Sequence, residues 1–182
     1  MSAVLPSFPQ GLSAESLDDY PGPRAPGISL RYAHDGDLAF FRDIYAQSRA
    51  AEVAAMPWSA AVRRAFCDSQ FELQHRHYVA HYRQGHFLVV EHDGKAIGRL
   101  YVCHQSDELW LVDILIDQTW RGQGIGTALL DWMRELASGL GLISLRLHVL
   151  KNNQGARRLY ERQGFVPDGA EGAHLRMVRA CA

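Results

Sequence analysis

A chain of 182 residues, 47% apolar and 10% aromatic, can bury one full-sized core, and its length favours one domain over two. Its formal charge of -1 gives no electrostatic argument for a polyanion, so neither a nucleic acid nor a membrane surface is expected as partner. Cys67, Cys103 and Cys181 form no Cys-x-x-Cys pair, no stretch approaches the roughly 18 apolar residues of a membrane span, and the start of the chain lacks a basic and then apolar run, so a reduced, cytoplasmic setting is expected.

Residues 1–27 collect Pro6, Pro9, Pro21, Pro23 and Pro26 with Gly11, Gly22 and Gly27. That composition disfavours regular structure and reads as a leader, mobile or laid over the surface, before a single domain over residues 28–182. Ile28 to Tyr32 alternates like a short strand, and Asp35 or Asp37 can cap a helix carrying Leu38, Phe41, Ile44 and Tyr45. Ser59 can cap a long helix to about Gln84, expected to be interrupted or bent because Val62, Phe66, Leu73, Tyr78 and Tyr82 spread over two adjacent faces. His77 and His81 lie four apart on it, but no third ligand accompanies them and no metal is expected.

His86 to Glu91 and Lys95 to Cys103 read as strands joined at His92-Asp93-Gly94, because Asp and Gly both tolerate positive φ. A polar loop over residues 104–108 then leads to the strand Leu109 to Ile116, apolar except at Asp113, a carboxylate that needs a donor if it is buried. A glycine turn follows, then a helix from Thr127 to Ser138 with Leu129, Leu130, Met133 and Leu136 on one side. Ser144 to Val149 alternates as a strand, and Asn153 to Gln163 forms a second late helix. Phe165-Val166 and His174 to Val178 read as closing strands, the latter a sheet edge that could pair two copies into a homodimer. This order is α/β, mixed α+β: antiparallel strands joined to a strand-helix-strand crossover, with helices on both faces of one mixed sheet.

Gly122, Gly124 and Gly126 leave backbone amides uncovered where a helix begins, which is a socket for phosphate. A P-loop would need G-x-x-x-x-G-K-[ST], and no lysine is present in the turn. A dinucleotide fold would need G-x-G-x-x-G in the first strand-helix unit; here the spacing is G-x-G-x-G, two-thirds along the chain. Arg121-Gly122-Gln123-Gly124-Ile125-Gly126 resembles the Q/R-x-x-G-x-G/A signature of the GNAT N-acetyltransferase superfamily. The stretch Asn153-x-x-Ala156-x-x-Leu159-Tyr160-x-x-x-Gly164-Phe165 resembles that family's second signature. The likeness covers about Glu91 to Val166.

The resemblance implies a mostly antiparallel sheet of about six or seven strands, splayed between 109–116 and 144–149, and acetyl-CoA as co-substrate without a metal. Its pyrophosphate would lie on the amides of Gly122, Gln123, Gly124, Ile125, Gly126 and Thr127, with Arg121 adding charge. Its pantetheine arm would pair like a strand with Ile114 and Ile116, near Asn153. The family position of Tyr160 implies a proton donor to the departing thiolate. Where some relatives carry a glutamate base, this chain has His148, so His148 is the candidate base or substrate contact and Asp113 the other acid to weigh, with the Ile114 N–H as oxyanion donor. The acceptor would be a primary amine, of a small molecule or of a protein lysine or N-terminus, entering near Met56, Trp58, Phe66, Tyr78, Tyr82 and the 104–108 loop. The alternative is an acyl-CoA-binding module without turnover.

Overall fold

The computed structural model describes residues 4–9, 17 and 20–181. Much of the expected leader, Gly11 included, lies outside these residues. The strands are β1 (Ile28–Tyr32), β2 (His86–His92), β3 (Lys95–Gln105), β4 (Glu108–Ile116), β5 (Ser144–Leu150), β6 (Val166–Glu171) and β7 (His174–Ala180), and the helices are α1 (Leu38–Ala54), α2 (Ala60–His81), α3 (Ile125–Gly139) and α4 (Gln154–Arg162). The strands form one seven-stranded sheet in the order β1-β2-β3-β4-β5-β7-β6. All neighbours are antiparallel except β4 and β5, which α3 joins as a crossover. The expected mixed, mostly antiparallel sheet with helices on both faces is the observed architecture.

Two cores lie on opposite faces. Leu129, Leu130 and Met133 of α3, together with Tyr160 of α4, pack against Leu145, Leu147 and Met177. On the other face Phe41 and Ile44 of α1 and Phe71 of α2 pack against Phe87, Val89 and Tyr101. Among the described residues, no helix is long and apolar enough to cross a membrane.

Several boundaries differ from expectation for identifiable reasons. Asp37 occupies the N-cap position of α1, but its side chain makes no cap bond; its carboxylate accepts from Arg31 at 2.7 and 2.8 Å and from the His34 amide at 2.9 Å. Helix α2 runs without interruption, because its buried stripe is Cys67, Phe71, His75 and Val79 at four-residue spacing, while Val62 and Leu73 face solvent. His75 belongs to that stripe because its Nε2 hydrogen-bonds the Pro6 carbonyl at 2.7 Å. This contact lays residues 4–9 across the helices, and Phe8, 4% exposed, packs edge-on to His75 and Phe41 with centroids 4.9 and 6.0 Å away. The Ser59 cap is as expected, its Oγ accepting from the Val62 amide at 3.3 Å. Ser59→Ala is expected to cost about 1 kcal/mol, read as a lower Tm with an unchanged fold by circular dichroism.

The polar loop at 104–108 contracts to a tight turn at Ser106-Asp107, with Gln105 already paired to Glu108 and Ser106 at φ 55. The homodimer edge expected at His174 to Val178 is corrected: β7 is internal, paired on one side to β5 and on the other to β6. The edge is β6, whose Pro167 and Gly169 suppress the strand signal in sequence and are tolerated there because an edge strand need not satisfy a second neighbour.

Candidate active site

Strands β4 and β5 run side by side only from Glu108–Ser144 to Leu111–Leu147. Beyond that, Val112 to Ile116 and His148 to Leu150 part. The separation begins at an irregularity in the β3–β4 register, where Tyr101 faces Asp113 and Val102 faces Leu111, leaving Val112 as the extra residue of a bulge. The expected splay between these strands is therefore present, with a bulge at its origin.

The register also says which backbone groups face the gap. The Asp117 N–H donates to the Ile97 carbonyl at 2.8 Å, and hydrogen-bonded pairs alternate along an antiparallel ladder. Ile114 and Ile116 are one residue out of phase with that pair, so their N–H and C=O groups turn away from β3 and towards the gap. Arg121 marks the direction, its Nε donating to the Ile116 carbonyl at 2.8 Å. That bond leaves the amides of Ile114 and Ile116 and the Ile114 carbonyl as the open groups of the splayed edge.

Below the gap lies the glycine turn. Gly122 and Gly124 have φ 75 and 81, a left-handed conformation that side chains resist, and no atom lies within 4 Å of where a Cβ would stand on either. Gly124 is the N-cap of α3 and has no side chain to cover the first amides of the helix. Gly126 serves packing: a Cβ there would meet Leu159 Cδ2 of α4 at 3.1 Å. Asn153 caps α4, its Oδ1 accepting from the Ala156 amide at 3.1 Å.

A cavity of about 1640 Å³ joins turn, gap and helices. It exceeds the few hundred to roughly 1,000 Å³ typical of a single small-ligand pocket, which leaves room for two reactants. Ile114, Ile116, Arg121, Gly122, Gly124, Ile125, Gly126, Thr127, His148, Asn153 and Tyr160 all line it. Gln123 does not, and its amide group donates instead to the Thr119 carbonyl at 3.1 Å.

Tyr160 is 5% exposed, edge-on to Phe165 with centroids 5.8 Å apart, and its hydroxyl has no partner among the described residues. Burial, with a smaller contribution from the charge of Asp113, pushes its phenol well above the ordinary tyrosine range. His148 lies on the face of β5 opposite Leu147 and Val149, 5.4 Å from the Trp110 ring and 6.4 Å from His174 between centroids. Burial, then the neighbouring His174, lowers its pKa, so the neutral imidazole prevails at neutral pH. Arg146 is engaged elsewhere, by Glu108 at 2.6 Å and by Asp168.

On the side where an acceptor is expected to enter, the cavity is lined by Tyr45, Gln74, His77, Tyr78, Tyr82 and Asp113, and α2 contributes only its C-terminal half. Met56, Trp58 and Phe66 are absent from the wall, Trp58 and Phe66 packing on each other at 5.3 Å, and the shortened 104–108 turn does not reach it. Arg99, unremarked in sequence, supplies the donor that Asp113 needs, its Nε 2.6 Å from Oδ2. The available signal was a lone arginine in the otherwise buried run of β3. Among the described residues, no group of three His, Cys, Asp or Glu is placed to hold a metal ion.

A family model described as the acetyltransferase (GNAT) family matches residues 46–165. The chain is 36% identical over 62 residues to an uncharacterized N-acetyltransferase, YycN, of Bacillus subtilis (strain 168), covering 34% of this chain and 40% of the relative. It is 32% identical over 84 residues to a putative ribosomal protein bS18-alanine N-acetyltransferase of the same organism, covering 46% of this chain and 56% of the relative. The matches span between 36% and 56% of the length of the curated relatives. A PaiA N-acetyltransferase from Thermoplasma acidophilum, solved in complex with coenzyme A, has the same fold, with a TM-score of 0.66 at 17% identity over 84% of this chain and 98% of that one.

Proposed function

Taking as premise that the chain belongs to the acetyltransferase (GNAT) family, we propose that it transfers the acetyl group of acetyl-CoA to a primary amine of a small molecule or of a protein lysine or N-terminus. The reaction is a direct attack within a ternary complex. The observation that carries this reading is the parting of β4 from β5 above an uncovered helix N-terminus, with Tyr160 in the wall of the same cavity. An extended, amide-rich arm can pair with the Ile114 carbonyl and the Ile116 amide, and a pyrophosphate suits the amides of the Gly122 to Thr127 turn. Acetyl-CoA supplies the activated acetyl group as a thioester.

The protein's own groups then have three tasks. An alkylamine with a pKa of about 10 arrives as ammonium and must lose a proton before attack. Neutral His148 can receive it and pass it to solvent from the exposed side of β5. The Ile114 amide, on the edge that has lost its neighbour, is the donor for the oxyanion. As the C–N bond forms and the C–S bond breaks, Tyr160 gives its proton to the sulfur and regains one from solvent, so that ammonium and thioester become amide, thiol and one released proton.

Calorimetric titration with acetyl-CoA, followed by thiol release across an amine panel, tests the proposal. Binding without release on any amine would leave only an acyl-CoA-binding module. For His148 the sign is fixed by the lowered pKa: kcat/KM should fall as pH drops through a limb lying below the ordinary imidazole range. His148→Ala is expected to lower kcat/KM about tenfold near neutrality and to abolish that limb. Full activity with the limb intact would remove His148 from the mechanism.

A further inference from the structure

Asp113 stands next to the bulge on β4, its side chain 18% exposed, at the acceptor end of the cavity. A carboxylate in a buried strand is costly unless paired. Its partner Arg99 is 2% exposed and fully committed on two sides, Nε to Asp113 Oδ2 at 2.6 Å and Nη2 to Gln74 Oε1 at 2.6 Å. The guanidinium is also held over the rings of Tyr101, Phe71 and Phe41 at 5.4, 5.7 and 5.9 Å. This clamp engages one carboxylate oxygen and orients the other. Oδ1 of Asp113 has no partner among the described residues and is not sealed off from the cavity.

We propose that Asp113 Oδ1 is the seat of the acceptor's ammonium group, so that the acceptor is a positively charged aliphatic amine and anionic or neutral molecules of the same shape are rejected. The other charged groups of this end leave that role to Asp113. Glu52 is held by Arg49 at 2.6 Å, Arg99 is spent on Asp113 and Gln74, and Glu171 ends β6, paired across the turn to His174. Tyr78 and Tyr82, with ring centroids 6.1 Å apart, line the same end and provide an aromatic wall for aliphatic carbons and the cation. An anionic group in this position would meet the Asp113 charge, and a neutral one would replace a charge-assisted hydrogen bond with an ordinary one. The identity of the cation as the acetyl acceptor rests on the acetyl-transfer reading; the preference for a cation does not.

The test uses three unreactive probes, the isosteric pair n-butylguanidinium and n-butylurea and the shorter anion butyrate, titrated calorimetrically into the full chain. The guanidinium should bind at least about tenfold tighter than the urea, with butyrate weakest, as expected for a hydrogen bond to a charged group. Asp113→Asn should erase that ranking and raise the amine KM about tenfold or more while leaving acetyl-CoA affinity unchanged. Because the variant leaves Arg99 without its counter-ion, its melting temperature is followed alongside, and the wild-type probe ranking needs no variant at all. Equal binding of urea and guanidinium, tightest binding of butyrate, or an unchanged ranking in a folded Asp113→Asn would overturn the inference. Thiol release without the cation preference would overturn the seat alone; the preference without any thiol release would overturn the transfer reading alone.

Discussion

Tyr160→Phe is expected to lower kcat by about 100-fold or more, the scale of a lost general acid, with acetyl-CoA affinity nearly unchanged. The substitution removes one oxygen and keeps the ring, so the contact with Phe165 and the packing of α4 on the sheet persist. What disappears, on the proposed mechanism, is the proton for the sulfur. The raised phenol pKa sets the pH dependence: below it the hydroxyl is protonated, so Tyr160 stays in its donating form through neutral and moderately alkaline solution and adds no alkaline limb to kcat. A thiolate forming against the same apolar wall is destabilised by the same loss of water, which keeps the transfer favourable. Stopped assays of thiol release with wild type and variant, from acid to alkaline pH, measure both features. A variant with wild-type kcat throughout would exclude the phenol as donor.

The second large effect is expected at the turn. Gly124 has φ 81 and ψ -4, and a β-branched residue there is a steric outlier costing about 1–3 kcal/mol. Since nothing surrounds the missing Cβ, the strain in Gly124→Val is purely of the backbone and is relieved by rotating the peptide. Rotation takes the first amides of α3 off the cavity, and acetyl-CoA affinity should weaken by about 10- to 100-fold. Gly94→Val is the control. Its φ is 76 with equally open surroundings, but it sits in the β2–β3 hairpin, so it should lower Tm and leave the affinity alone. Equal acetyl-CoA affinity in wild type and Gly124→Val would remove the pyrophosphate from this turn.

Much of this arrangement was legible because its causes are local. The Asp93-Gly94 turn, with φ 49 and 76, follows from two residues that tolerate those angles. The Ser59 and Asn153 caps follow from side chains three residues before the amides they satisfy. The side of the cavity where an acceptor is expected was read less well. Trp58 and Phe66 carry the composition of a binding wall but spend it on each other, and nothing in their spacing distinguishes an aromatic that faces a cavity from one that faces a neighbour. Phe8 is the converse, an aromatic in a proline-rich segment that enters the second core because His75 and Phe41 are there to receive it.

The sequence by itself determined the family, the mixed sheet with helices on both faces, and the glycine turn with its open amides, because turn conformation, capping and alternation depend on residues within a few positions of one another. Only the tertiary structure decided that Val112 bulges and opens β4 from β5, that β6 rather than β7 forms the edge, and that Arg99 clamps Asp113 with one oxygen left free. Each of these depends on strand register. Register is set by the sum of contacts between strands that are distant in the chain, and shifting it by one residue would turn Asp113 and Arg99 to opposite faces.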